Sequence, residues 1–387
     1  MAERERHYPL PPAVQLISHL SEGAYTSFAK AIRELVSNAF DARATEVSLV
    51  FTPDFGTLTI HDNGDGISAD EFRELFMRIS GSTRRLFGGQ DRVSGRPIIG
   101  LYGIGVLAIA PICTEAVIRS KKRGVRTGIS RTIPLSHLFS DELQRENLVE
   151  NYFFHEGDDL EDTPDAHYTT IELRGLRSDI QQDLARPRAG TPNWTDLDQL
   201  SGLDAFRWEL GLLSPVKYQP GFPVTRRTGT IQRAWRELDG FRFRVRVNNE
   251  ELLKPVRLGR RYDDDAKWNF PERVLPERLY DVLEVQSENE DPVQFYGYLY
   301  DQTKQVHPAA LRGILLRINH VGIKGYSKSL LEFTRSNIGP TMFSISGEVF
   351  VTAGLEDALS MDKDDFKEQH PNFKFLVGRI HDAIEEI

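Results

Sequence analysis

Residues 13–43 carry apolar side chains at helical spacing and run, with no linker, into "TEVSLVFTPDFGTLTIHDNGDG", which reads as two short strands at 47–51 and 57–61 joined by a turn at 53–56. That order constrains the local architecture more than any other feature of the chain: a helix laid on a hairpin. Within the helix, "ELVSNAFDA" places Glu34, Asn38 and Asp41 among apolar neighbours. At about 100° per residue, with Glu34 at zero, Asn38 falls at about 40° and Asp41 at about −20°. Ile32, Leu35, Val36, Ala39 and Phe28 lie on the far side, at roughly 100° to 200°. The three polar groups therefore form one narrow stripe. A carboxylate and an amide oxygen one turn apart can hold and activate a water or complete a magnesium shell, which takes oxygen ligands beside phosphates. A solvated helix face has the same spacing, so the stripe alone does not decide.

After the hairpin, "SADEFRELFMRI" reads as a helix with Ser68 as N-cap and Glu71 at the capping-box position. Residues 80–96 are rich in Gly, Ser and Arg and read as a linker or a mobile lid. "PIIGLYGIGVLAIAPI" then resumes as a glycine-rich turn opening into an apolar helix, followed by strands at 116–119 and 169–173 with an acidic surface insertion at 141–165 between them. Prolines at 187, 192, 215, 220 and 223 mark a composition shift. Beyond it, "FRFRVRVNN" alternates so that Phe241, Phe243, Val245 and Val247 face a core while Arg242, Arg244 and Arg246 face out. "FYGYLYD", "GILLRINHVGI" and "GEVFVTAG" add strands, and the chain closes on the helix "DDFKEQHPNFKFLVGRIHDAIEEI". The expected division is 1–185, a connector at 186–235, and a second α/β domain at 236–387.

Length and composition bound the function. At 387 residues, two domains are expected. A net charge of −9 does not suit a chain dominated by nucleic-acid contacts. One cysteine, Cys113, excludes an intrachain disulfide and a multi-cysteine zinc site. No stretch reaches the roughly 18 apolar residues of a membrane span, and the start "MAERERHYPLPP" has no signal-peptide core. The expectation is a cytoplasmic protein with no membrane partner.

Two further motifs bear on chemistry. In "HDNGDGIS", Asp62 sits where an acceptor emerges from the sheet, and Gly64 and Gly66 permit positive φ and close approach to a ligand. In "GLYGIGVLAIA", Gly100, Gly103 and Gly105 open a helix whose free N–H groups could receive phosphate, without the spacing of a P-loop or a dinucleotide fingerprint. Each is a common turn by itself.

Together and in this order, the three segments resemble the GHKL ATPase superfamily, which includes gyrase, ninety-kilodalton heat-shock chaperones, histidine kinases and MutL. The resemblance spans residues 28–173. It implies a Bergerat-type ATP-binding α/β sandwich, ATP and Mg²⁺ as cofactors, and roles by position: Glu34 as general base for water, Asn38 as magnesium ligand, and Asp62 as acceptor for the adenine amino group. Asp41 would support the pocket, and Thr169 in "TTIEL" would join the Asp62 and adenine network. "SGSTRR" looks like the start of an ATP lid over about 77–105, with Ser80, Ser82, Thr83 and Arg84 on the phosphate side. Glu34, together with the lack of a phospho-accepting histidine helix upstream, where only His7 and His19 occur, disfavours a kinase. The second domain is similar to the middle or transducer domains of the superfamily. Lys363 in "GLEDALSMDKDDFKE" stands where the chaperones place a γ-phosphate arginine, and Lys304 in "DQTKQ" competes for that part.

The resemblance implies an ATP-hydrolysing conformational switch, chaperone-like, acting on a protein client or partner and able to dimerise with ATP. The alternatives are a nucleic-acid clamp of the MORC or MutL kind, for which the arginines at 226–261 and the cluster at 119–126 would serve, and an ATP-sensing subunit of a larger complex. Net negative charge leaves nucleic acid disfavoured.

Overall fold

A computed structural model describes residues 27–72, 92–93, 96–97, 109–136, 155–156, 160–161, 163, 165–189, 199–219, 222, 229–256, 278–286, 292–302, 305–335, 339–359 and 365–387. Helix α1, Phe28–Asp41, is N-capped by Ser27, whose extended backbone brings its hydroxyl to the Lys30 N–H at 3.2 Å. The strands β1, Glu46–Phe51, and β2, Thr57–Asp62, follow as the antiparallel hairpin expected from the sequence. Then come β3, Cys113–Lys121, β4, Thr127–Ile133, and β5, Tyr168–Leu176. Helices α2, Ser178–Ala185, α3, Gly202–Leu213, and α4, Gly229–Gly240, lead to β6, Arg244–Val247, and β7, Glu250–Glu251.

These strands form one sheet in the order β7-β6-β1-β2-β5-β3-β4, with His155–Glu156 and Leu160–Glu161 pairing β4. The buried side of the sheet follows the period-two pattern. Val47, Leu49 and Phe51 on β1, Leu58 and Ile60 on β2, and Leu173 on β5 face a core shared with Ile32, Leu35, Val36 and Ala39 of α1. Asp62 and Thr169 occupy the same face at the strand ends, where the apolar series gives way to polar groups.

The run at 241–247, read from the sequence with the second domain, belongs to this first sheet: β6 pairs with β1 in parallel, Val47 opposite Val245. The alternation is as expected, with Phe243, Val245 and Val247 buried and Arg244 exposed. What alternation cannot reveal is the partner strand. Phe40 of α1 supplies the reason for this one, since its ring meets those of Phe241 and Phe243 edge-on at 5.2 and 5.1 Å.

The second sheet contains β8, Arg278–Gln286, β9, Gln294–Asp301, β10, Gly313–Ile318, β11, Val321–Gly322, and β12, Ile345–Ala353, in the order β8-β9-β12-β10-β11. One face packs on α3 and α4 through Trp208, Leu212, Ile231 and Leu238. The other packs on α5, Pro371–Glu385, through Leu376, Ile380 and Ile384. The final helix starts at Pro371 and not at the acidic run before it, because proline at the first helical position lacks only an N–H that would go unused there. Both two-residue turns, Asn248-Asn249 and Asn319-His320, have positive φ in each residue, the geometry that matches hairpin twist.

A fully buried charge network holds this unit to α3. Arg317 Nε donates to Glu348 Oε1 at 2.6 Å, and the hydroxyls of Tyr218 and Tyr298 donate to Glu348 Oε2 at 2.8 and 2.6 Å. Arg317 Nη1 reaches the Leu212 carbonyl at 2.7 Å. Lys254 caps the Ser214 carbonyl, and burial, reinforced by Arg317, pushes its amine well below the ordinary lysine range.

Candidate nucleotide site

The members of the polar stripe of α1 differ in exposure. Glu34 is 4 % and Asp41 5 % exposed, whereas Asn38 is open to solvent. The far side is apolar and buried, so the helix is enclosed nearly all round except at Asn38.

Asp62 lies at the end of β2, 7 % exposed, with Oδ1 accepting the Gly64 N–H at 2.8 Å. Its other carboxylate oxygen accepts no hydrogen bond among the described residues, an incomplete arrangement for so buried an acid. Burial raises its pKa to about 6, against the smaller lowering by the Gly64 N–H. Directly across the sheet, Thr169 pairs in register with Asp62 and, on its other side, with Ser120. The Ser120 hydroxyl is the hub here: it accepts from Ile67 N–H at 2.8 Å, donates to the Tyr168 carbonyl at 2.9 Å and lies 3.0 Å from Thr169 Oγ1. Nothing in the sequence singled out Ser120; only the strand register brings it to Thr169.

The loop that carries Asp62 is bolted to the C-terminus of α1. Asp65 N–H donates to the Ala42 carbonyl at 2.8 Å, Arg43 Nε donates to Asp65 at 2.5 Å, and Asn63 Oδ1 accepts from the N–H groups of Thr45 and Glu46 at 2.8 and 2.9 Å. The two glycines of this loop serve packing within the protein. Only Gly66 has positive φ, 72°, and a Cβ there would stand 1.9 Å from the Lys121 carbonyl; at Gly64 it would stand 2.8 Å from the Ala42 carbonyl. Positive φ, expected at both, is corrected for Gly64; in both cases backbone excludes a side chain.

Two arginines that the sequence did not flag complete the surroundings. Arg33, on α1 beside Glu34, is 1 % exposed; its Nη2 donates to Glu34 Oε1 at 2.9 Å. A signal for it existed, because a helical wheel puts Arg33 at about −100°, between the polar stripe and the apolar arc. Arg96, inside the segment expected as a lid, donates to the Ala44 carbonyl at 2.7 Å and to that of Phe241, with its guanidinium 5.1 Å from the centre of the Phe40 ring. Ser80, Ser82, Thr83, Arg84, Gly100, Gly103, Gly105, Lys304 and Lys363 lie outside the described residues.

Comparison with known proteins gives matches over part of the chain. A family model described as histidine kinase-, DNA gyrase B-, and HSP90-like ATPase matches residues 25–157. A putative type II restriction enzyme, HgiDII, of Herpetosiphon aurantiacus is 39 % identical over 121 residues, 31 % of this chain and 19 % of that protein. The chaperone protein HtpG of Salinispora tropica is 27 % identical over 139 residues, 30 % of this chain and 22 % of that one; HtpG of Methylibium petroleiphilum is 26 % identical over 156 residues, 35 % and 25 % respectively. The chain thus spans only about a fifth to a quarter of the length of these curated relatives.

Proposed function

We propose that this chain, whose residues 25–157 are matched by the model of the histidine kinase-, DNA gyrase B- and HSP90-like ATPases, is an ATP-binding, Mg²⁺-dependent ATPase of the GHKL superfamily that works as a conformational switch on a protein partner. The observation that carries the reading is Asp62, a buried carboxylate with one oxygen to spare, opposite Thr169 and under a helix that bears Glu34. A spare buried acceptor suits the exocyclic amino group of adenine. From Ala42, at the Asp62 loop, back to Glu34 is about 12 Å along the helix axis at 1.5 Å per residue, room for an extended nucleotide lying along α1.

In this reading Asp62 accepts from the base, with Thr169 and Ser120 fixing the floor. Glu34 orients and deprotonates the attacking water, Asn38 offers its exposed amide oxygen to the metal, and Asp41 braces the helix end. The metal, when bound, neutralises charge on the phosphates. The lid serines, the glycines at 100, 103 and 105, and Lys363 or Lys304 are proposed to complete the phosphate side.

A protein partner is preferred over nucleic acid because the chain carries a net charge of −9 and, among the described residues, several of the basic side chains that would form a basic face are paired. Arg246 pairs with Glu46, Arg119 with Glu172, Arg233 with Glu237 and Lys122 with Glu71. A second reading, an ATP-operated component of a DNA-targeting system, has one observation in its favour, the 39 % match to a putative restriction enzyme. Titration calorimetry with ATP and phosphate-release assays, each with and without Mg²⁺ and duplex DNA, test both. Mg²⁺-dependent turnover indifferent to DNA is expected; no ATP binding would overturn the reading, and turnover that requires DNA would favour the second.

A further inference from the structure

A cavity of about 850 Å³ lies in the second unit, between the segment that follows β11 and helix α5. None of the residues proposed for the nucleotide lines it. Its apolar lining comes from Ile314 and Leu316 of β10, from Phe366, and from Phe373 and Val377 of α5. The rings of Phe366 and Phe373 stack at 4.9 Å with their planes 15° apart, a surface suited to a flat ring. Clefts that hold small molecules have this kind of lining and volumes of about 300–1,000 Å³.

One wall is held in a conformation that a chain keeps only under constraint. Leu330, Leu331 and Glu332 have φ of 55°, 59° and 58°, three successive left-handed residues without a glycine, at roughly 1–2 kcal/mol each. Ser327 Oγ accepts the Leu331 N–H at 3.0 Å, and Ser329 Oγ accepts that of Glu332 at 3.3 Å. From α5, His381 Nε2 donates to the carbonyls of Leu330 and Leu331 at 3.1 and 3.0 Å. Both partners are acceptors, so Nε2 carries the proton and Nδ1 is the acceptor of the neutral ring. His381 lines the cavity at 8 % exposure, and its Nδ1 makes no hydrogen bond among the described residues. So enclosed an acceptor calls for a donor.

The rim sets the charge. Lys324 pairs with Asp365 and Arg335 with Asp382, while Glu332 accepts from the Ser329 hydroxyl at 2.7 Å. Lys374 meets the neutral amide oxygen of Gln369 at 2.6 Å, and Lys328 has no polar partner among the described residues. Against these two exposed lysines the lining sets one unengaged carboxylate, Glu368. Positive charge is left over for an anion, and an ammonium on a flexible stem can follow it.

We propose that this cavity binds a small aromatic carboxylate that carries an N–H or O–H donor. The ring packs on Phe366 and Phe373, the donor meets His381 Nδ1, and Lys328 and Lys374 neutralise the carboxylate. Binding requires no nucleotide.

Titration calorimetry of the full chain with indole-3-acetate tests this, since the probe combines a flat ring, one N–H and a carboxylate. Saturable binding at one site is expected without ATP. Two analogues, 1-methylindole-3-acetate without the donor and tryptamine with an ammonium for the carboxylate, should each bind about tenfold more weakly. Val377→Trp, which fills the cavity, should abolish binding. Lys328→Glu, on the surface, should weaken it about threefold or more and serves if the tryptophan variant does not fold. Absence of saturable binding overturns the proposal, as does equal affinity for either analogue or affinity unchanged in a folded variant.

Discussion

Asp62 and Thr169 stand opposite one another in the β2–β5 register, both on the buried side of the sheet and both more than nine-tenths removed from solvent. A strand that ends its core-facing series in an acid, beside a threonine doing the same, sets a polar floor at the edge of an apolar core. Everything proposed for the nucleotide base depends on that pair.

Protonation of Asp62 should compete with the base. Burial raises the folded-state pKa from 3.8 to about 6, so the folded chain binds this proton more tightly than the unfolded chain does. The associated stabilisation is present below the unfolded value and fades as pH rises through about 6. A ligand that needs the carboxylate behaves oppositely, and adenosine, with no phosphate to titrate, should bind about tenfold more weakly at pH 5 than at pH 7.5. Affinity unchanged across that range would remove Asp62 from the base site, as would an Asp62→Asn variant that binds nucleotide as well as wild type.

Ser120 should matter for affinity and not for chemistry. Its hydroxyl connects Ile67, Tyr168 and Thr169. Ser120→Ala removes three hydrogen bonds; with about 1–2 kcal/mol of the loss falling on the bound state, ATP affinity is expected to fall about five- to thirtyfold with kcat within about twofold. A drop in kcat at unchanged affinity would contradict the placement.

Gly66 and Gly124 offer a matched pair for the packing argument. Both have positive φ, 72° and 80°, but a Cβ at Gly66 would strike the Lys121 carbonyl at 1.9 Å, whereas at Gly124 nothing lies within 4 Å. Gly124→Ala should cost only the left-handed penalty, about 1–2 kcal/mol. Gly66→Ala should be markedly worse and should loosen nucleotide binding, because the Asp62 loop must move. Equal thermal shifts for the two variants would refute the close packing.

The buried Arg317–Glu348 pair supports the second unit. Glu348→Gln leaves Arg317 charged in a fully enclosed site and is expected to cost about 3–5 kcal/mol, read as a fall in the denaturation midpoint. A midpoint within the error of wild type would show that the pair is not structurally required.

Local pattern was the legible part of this chain. The helix on its hairpin, the Ser68–Glu71 capping box, with Ser68 N–H to Glu71 at 2.9 Å, and the alternation of 243–247 all appear as the sequence suggests. Each depends on neighbours within a few residues. What stayed hidden is set by strand order. Ser120 meets Thr169 only because β3 pairs with β5, β6 joins the first sheet only by parallel pairing with β1, and Arg33 finds two of its acceptors, the carbonyls of Gly322 and Ile323, 289 and 290 residues along the chain. Gly64 and Gly66 were legible as special positions, but their purpose was not, since the carbonyls that exclude a side chain come from α1's end and from β3.

The central claim is that Glu34 drives hydrolysis on a site that Asp62 recognises. Its most direct test is Glu34→Ala, with ATP affinity and the single-turnover hydrolysis rate measured on the same preparation. Affinity within about threefold of wild type and a rate lowered by about 10²- to 10⁴-fold is the predicted result. Turnover within tenfold of wild type, or loss of binding together with turnover, would contradict it.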